Sequence, residues 1–180
     1  MGQTARDRHT IQDIYDLPDG TRAELIDGFI YDMATPGSTH QRVVGRLFRK
    51  LADHFEKKHG ACEVFIAPFA VFLNDDDYTW VEPDLCVVCD ASKIKKDGCH
   101  GAPDLVVEVV SESSIKRDYL VKLLKYTRSG VHEYWIVDPE RKRIIVYFLD
   151  EDNEEVMEYS FDDVVASVAF EGLTVDFKEI

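Results

Sequence analysis

The sequence predicts an α/β fold: a mixed β-sheet flanked by helices, with an N-terminal hairpin and C-terminal strand additions. Three observations carry this expectation. The run Leu105-Val-Val-Glu-Val-Val110 is apolar except at Glu108, the pattern of a strand covered on both faces. Val43, Val44, Leu47, Phe48, Leu51 and Phe55 recur at the 3.6-residue period of an amphipathic helix. Between and after these segments, strand-like and helix-like stretches alternate, which calls for a sheet with helices packed against it. A chain of 180 residues fits one domain with a substantial core, spanning 1–180.

Taken in order, residues 23–33 alternate in polarity around Asp27-Gly28, a two-residue hairpin signal. Pro36-Gly37 breaks the chain. Ser38 followed by Gln41 fits a capping box and opens a helix that runs to about Lys58, with Gly60 beyond its end. EVFIAPFAVFL (63–73) reads as one long strand, bulged at Pro68. Asp75-Asp76-Asp77 is a turn, and VEPDLCVVC (81–89) is a strand entered through Pro83. Residues 90–102, with Gly98 and Gly101, read as a loop before the strand at 103–111. A second helix is expected over 115–129, with Leu120, Leu123, Leu124 and Thr127 facing inward and Gly130 past its end. EYWIVD (133–138), RIIVYFL (143–149) and EVMEYS (155–160) complete the strands.

Lys and Arg total 21 against 35 Asp and Glu, a net charge of −14. That balance excludes avid nucleic-acid binding through bulk electrostatics. The charge is uneven, however. Asp150, Glu151, Asp152, Glu154, Glu155, Glu158, Asp162 and Asp163 fall in a stretch with no basic residue. Lys116, Arg117, Lys122, Lys125 and Arg128 face only Asp118 in 115–128, and the local sign is what a phosphate meets. No apolar run approaches the roughly 20 residues that cross a bilayer, and MGQTARDRHT lacks the apolar segment of a secretory signal. The expected compartment is the cytoplasm. There, Cys62, Cys86, Cys89 and Cys99 are expected to be reduced and mostly buried. Cys86 and Cys89 spell C-x-x-C on a strand, where positions three apart face opposite sides and cannot grip one zinc ion.

Glu108 is the anomaly, because a carboxylate in an apolar strand is costly unless paired or metal-bound. Two Pro-Asp pairs precede it. Asp104 shares its strand and face but lies about 13 Å away at strand rise, too far to share a cation. Asp84 opens a different strand; if that strand pairs with 104–110, a lateral spacing of about 5 Å brings the two carboxylates to one ion. Asp84 and Glu108, with a carbonyl oxygen, would make a hard oxygen site suited to Mg²⁺ or Mn²⁺. Phosphodiester chemistry also wants a cation for the attacking water and the developing charge. Two residues after Glu108 stands Val110, so Lys122, on the helix that follows, is the candidate. Its alternative is an exposed lysine paired with Asp118 at i,i+4.

At this point the chain resembles a known family. ELIDG (24–28), THQ (39–41), VEPDLCVV (81–88), GAPDLVVEVVS (101–111), RDYLVKLLKY (117–126) and GVHEYWIVDP (130–139) look like the Uma-type restriction endonucleases of the PD-(D/E)XK nuclease superfamily, over most of the chain. The resemblance implies a restriction-endonuclease-like fold, Asp84 and Glu108 as metal ligands, and Lys122 as a catalytic lysine displaced onto the helix. Glu24 and His40 match family positions too. Glu24 could be an outer metal ligand or water acceptor, or a hairpin surface carboxylate. His40 could touch phosphate, or cap the helix and pack. Tyr126 and Trp135 are expected to pack the core. The implied activity is a Mg²⁺- or Mn²⁺-dependent endonuclease hydrolysing DNA, and cutting both strands of a duplex would favour a two-fold homodimer. The competing reading is a catalytically inactive module that keeps the nuclease fold to bind a protein or nucleic acid. No G-x-S-x-G, Walker or H-E-x-x-H pattern offers another hydrolytic mechanism.

Overall fold

The structure is a computed structural model and describes residues 8–58, 60–111, 114–150 and 153–180; Glu151 and Asp152 of the acidic run lie outside these. A short helix α1 (Ile11–Tyr15) leads into the hairpin of β1 (Ala23–Ile26) and β2 (Phe29–Asp32). Ile26 pairs with Phe29, so Asp27 and Gly28 form the whole turn, with φ of 52° and 83°. Positive φ at both positions gives the primed turn whose twist suits adjacent strands, and Asp-Gly tolerates it.

Helix α2 (Ser38–Lys58) buries Val43, Val44, Leu47, Leu51 and Phe55, and at about 1.5–3 kcal/mol per side chain that stripe contributes on the order of 10 kcal/mol. It starts with the Gln41 amide bonded to the Gly37 carbonyl. Gly37 rather than Ser38 therefore takes the cap position, which corrects the expected capping box.

The main sheet has the order β11-β10-β9-β8-β5-β3, formed by β3 (Glu63–Ile66), β5 (Leu85–Val88), β8 (Leu105–Val109), β9 (Glu133–Asp138), β10 (Arg143–Asp150) and β11 (Asn153–Ser160). Only β8 and β9 run parallel; the other neighbours are antiparallel. A parallel pair needs a crossover, and the segment 114–129 supplies it. Alternation along the strands divides the core. Leu85, Val87, Leu105, Val107, Val109, Trp135 and Val137 face α2. Cys86, Val88, Val106, Tyr134 and Ile136 face the opposite side, with Ile26 and Tyr126. A C-terminal hairpin of β12 (Val164–Ala166) and β13 (Thr174–Asp176) adds Val165 and Val175 to the α2 side. Among the described residues no helix is long and apolar enough to cross a membrane.

Four expectations are corrected here. The run 63–73 is not one strand: it breaks at a cis Ala67-Pro68 bond, and β4 (Val71–Phe72) joins a separate small sheet with β6 (Ile94–Lys95) and β7 (Gly98–His100). Consequently 90–102 is not a bare loop. Gly98 is there for close approach, since a Cβ on it would meet the Ala70 carbonyl oxygen at 2.3 Å. Leu120 and Leu124 are exposed, at 56% and 57%, and the inward face carries Asp118, Lys122, Lys125 and Tyr126. Finally, Cys62 and Cys89 form a disulfide. The Glu63–Val88 pairing of antiparallel β3 and β5, extended by one residue, sets these two cysteines side by side. Cys86 and Cys99 are free and buried, and Cys86 faces the Tyr126 side while Cys89 packs toward α2, so C-x-x-C does divide between the two faces.

Candidate active site

The site is built at the end of the main sheet where β5 begins and β8 finishes. Leu85 pairs with Val107 across these antiparallel strands, so the next pair outward is Asp84 and Glu108. This is the juxtaposition that the spacing of Pro-Asp and Glu requires. Asp84 Oδ2 accepts the Val109 amide at 2.7 Å, closing the strand pair beyond its last ladder bond. Asp104 sits at the other end of β8, where its Oδ2 accepts the Cys89 amide.

Lys122 is not an exposed lysine. Its side chain is 2% exposed, and Nζ lies 2.7 Å from Glu108 Oε1, 2.8 Å from Glu24 Oε1 and 4.0 Å from Asp118 Oδ1. Residues Arg117–Lys122 form a π-helical turn that runs into α3 (Leu123–Ser129). Two stripes share helical spacing here, Leu120–Leu124–Thr127 and Asp118–Lys122–Lys125. The facing sheet carries Glu108, which only the polar stripe can complement, and that stripe turns inward. Lys125 bonds Asp27 Oδ1 at the hairpin turn, fastening helix to hairpin.

Glu24 is fully buried rather than a surface carboxylate. Its Oε1 also accepts the Glu82 amide at 3.0 Å, so Glu24 sits behind Lys122 and orients it. His40, in the first turn of α2, places Nε2 3.2 Å from Asp84 Oδ2. Trp135 packs the core on the α2 side. Tyr126 packs on the other side and also donates its hydroxyl to Glu108 Oε1 at 2.9 Å. Arg117 and the Tyr126 hydroxyl are site groups that sequence reasoning missed, and Asp118, expected only as the i,i+4 partner of an exposed lysine, is buried with Lys122. The signal for Arg117 and Tyr126 was their place on Lys122's own helix.

A cleft of about 140 Å³ opens over these groups, lined among others by His40, Asp84, Glu108, Arg117, Asp118 and Lys122. Its electrostatics are lopsided. Arg22 and Glu82, also in the lining, pair with each other. That leaves Asp84, Glu108 and Asp118, with Glu24 behind, against Lys122, Arg117 and His40. Burial pulls the Lys122 ammonium down, but Glu108, Glu24 and Asp118 outweigh it and hold the proton firmly. Burial pushes Glu108 well above the usual carboxylate range, with Lys122 opposing and the other carboxylates reinforcing. Asp118 is raised by burial in the same way. For His40, burial lowers the value, but the hydrogen bond and charge of Asp84 more than offset it and raise the net.

The donor set suits a small divalent cation. Among the described residues, Asp84 Oδ1 and Glu108 Oε2 are left without a protein hydrogen bond, while their partner oxygens are engaged. Among the described residues no three His, Cys, Asp or Glu side chains converge into a metal cluster, so these residues fit Mg²⁺, which is commonly held by one or two carboxylates and several waters, better than a fully protein-ligated ion.

A family profile described as "Putative restriction endonuclease", Uma2, matches residues 11–178. The chain belongs to the Uma2 family. A curated relative, an uncharacterized protein of Synechocystis sp., is 29% identical over 133 residues, covering 73% of this chain and 68% of its own length. A crystal structure from Anabaena variabilis, described as "a putative nuclease belonging to DUF820", superposes with a TM-score of 0.74 at 20% identity. That match covers 94% of this chain and 96% of the other. At that identity the likeness establishes the fold, a mixed sheet with flanking helices, as expected for Uma2.

Proposed function

We propose that this Uma2 chain is a divalent-metal-dependent endonuclease that hydrolyses DNA phosphodiester bonds, built as one domain over 1–180. The observation that carries the reading is the pairing of Asp84 with Glu108 across β5 and β8 beside the buried Lys122 ammonium. Asp84 and Glu108, through their free oxygens, would hold Mg²⁺ or Mn²⁺. The ion would polarise the phosphodiester and lower the pKa of a bound water.

The chain's own residues do the rest. Glu24, Glu108 and Asp118 keep Lys122 protonated, so its positive charge faces the cleft without moving when negative charge develops on the phosphate, which is the preorganisation such chemistry needs. Tyr126 fixes the Glu108 carboxylate by taking one of its oxygens, leaving the other for the cleft. His40 does the same for Asp84, with the Val109 amide as second donor. Cutting both strands of a duplex needs two such clefts, and we propose a two-fold homodimer.

A catalytically inactive DNA- or protein-binding module remains the second reading. It is favoured by the net charge of −14 and by Lys122's engagement with Glu108 and Glu24. One set of assays separates the two. Purified protein is incubated with supercoiled, linear and single-stranded DNA in Mg²⁺ or Mn²⁺ over a range of salt and pH, beside Asp84→Ala and Glu108→Ala. Metal-dependent cleavage lost in both variants is expected. Wild-type protein that binds no metal by calorimetry and cuts no DNA would end the nuclease reading.

A further inference from the structure

We propose that Arg117 is a phosphate-binding residue of the cleft, presenting its guanidinium to an oxyanion of the DNA backbone. The inference takes its ligand's identity from the nuclease reading, but its geometry stands apart from it. Three Lys or Arg side chains line the cleft: Arg22, Arg117 and Lys122. Arg22 is spent on Glu82, with Nη2 2.6 Å from Oε2. Lys122 is held by two carboxylates and is 2% exposed. Arg117 is different. Among the described residues it makes one hydrogen bond, from Nη1 to the Asp32 carbonyl at 3.1 Å. Its Nε is buried without a hydrogen-bond acceptor, although Glu24 Oε2 lies 3.5 Å away, and Nη2 has no partner among the described residues.

A guanidinium offers five N–H donors in a planar fork matched to phosphate, and here most of them are unspent. The side chain is nevertheless fixed at both ends. Its backbone belongs to the π-turn, and Nη1 is tied to the last residue of β2, so little rotamer freedom is left to lose on binding. With a side-chain exposure of 14% it is screened from bulk water yet open to the cleft. Asp84, Glu108 and Asp118 would repel a phosphate. Arg117 has one ion pair, through Nε to Glu24, and among the described residues its Nη2 is left without a carboxylate, so it is the cleft cation with donors to spare.

The test uses the intact chain in Ca²⁺, with wild type, Arg117→Gln and Arg117→Lys. Inorganic phosphate is titrated by calorimetry and a labelled 12-base-pair duplex by anisotropy, with Mn²⁺ affinity and melting temperature measured alongside. Arg117→Gln is expected to weaken both phosphate and duplex at least tenfold, leaving Mn²⁺ affinity within threefold. Arg117→Lys, which keeps charge but loses the fork, should fall between and serves if the Gln variant does not fold. The proposal is overturned if wild type binds neither probe, if the Gln variant matches wild type, or if Lys substitutes fully. A loss confined to inorganic phosphate overturns the assignment to backbone phosphate. Cleavage is scored separately. A chain that binds phosphate through Arg117 but cuts nothing loses the nuclease reading alone; a chain that cuts DNA with Arg117→Gln still binding normally loses only this one.

Discussion

Replacing Lys122 with Met tests the electrostatic description of the site most directly. The ammonium is 2.7 Å from Glu108 and 2.8 Å from Glu24, in a space where its side chain is 2% exposed. Met preserves much of the volume and removes the charge, so the loss is electrostatic rather than a cavity. Breaking a buried pair from one side costs about 3–5 kcal/mol. In a chain of this size that lowers the melting temperature by roughly 6–20 °C. The pH dependence carries more information. Wild-type Lys122 has a raised folded value, so its contribution is fully present below the unfolded value of about 10.4 and is lost only above it. Glu108 is already raised by burial, and without Lys122 it rises further. Folded Glu108 then binds more protons than the unfolded carboxylate from about 4.3 up to its raised folded value, and stability falls as pH rises through that window. The deficit of Lys122→Met should be smaller at pH 5 than at pH 8. Urea melts of both proteins at the two pH values measure it. A deficit below about 1 kcal/mol at pH 8, or one equal at both pH values, would refute the reasoning.

Asp84→Asn keeps an oxygen for the Val109 amide and should fold normally, while Mn²⁺ affinity by calorimetry falls about tenfold or more, as one charged ligand is worth in a two-carboxylate site. Tyr126→Phe removes a buried donor to a carboxylate and should cost about 1.5–3 kcal/mol in urea melts; no change would mean that Glu108 needs no orienting partner. Cys62→Ser opens a crosslink between residues 27 apart and should cost about 3.5 kcal/mol in oxidised protein, with the difference vanishing in excess reductant. Ca²⁺ at constant ionic strength should tighten duplex binding relative to EDTA, because it offsets the carboxylate surplus. Equal affinity in both buffers would argue against a cation in the cleft.

Sequence made much of the sheet and part of the site legible, and the reasons for success and failure are physical. Val43, Val44, Leu47, Leu51 and Phe55, and Leu105 to Val110, sit deep in the core, where burial enforces the period that a pattern search detects. Asp84 and Glu108 were legible because strand spacing admits one of two Pro-Asp pairs, and the observed register pairs them. The orientation of 117–129 was not legible. Leu120–Leu124 reads as the buried stripe by hydropathy, and only the position of Glu108 on the facing strand reverses that choice. The disulfide was hidden for the same reason. Cys62 and Cys89 become neighbours through the β3–β5 register, a fact no local window contains. The 90–102 hairpin depends on Gly98 meeting Ala70, a long-range approach that in sequence looks like any loop glycine.

The cost of the site argues for its purpose. Glu24, Glu108, Asp118 and Lys122 are all at most 4% exposed, and a buried ion network of this kind is commonly no more stable than apolar residues of the same volume. The surrounding elements nonetheless spend bonds to hold it. The hairpin supplies Glu24, paired with Lys122 of the crossover helix; Lys122 and Tyr126 both hold Glu108 of β8; and His40 of α2 holds Asp84 at the start of β5. Folding alone would be served as well by Leu or Met at these positions. A surplus of carboxylates raised by burial, with one free oxygen on each of two paired strands, acquires a physical rationale once a divalent cation enters. Such a cation, if bound as proposed, would relieve the burial cost of the carboxylates and offset the acidity that opposes approach to a polyanion. That is why metal binding is the measurement on which the nuclease reading turns.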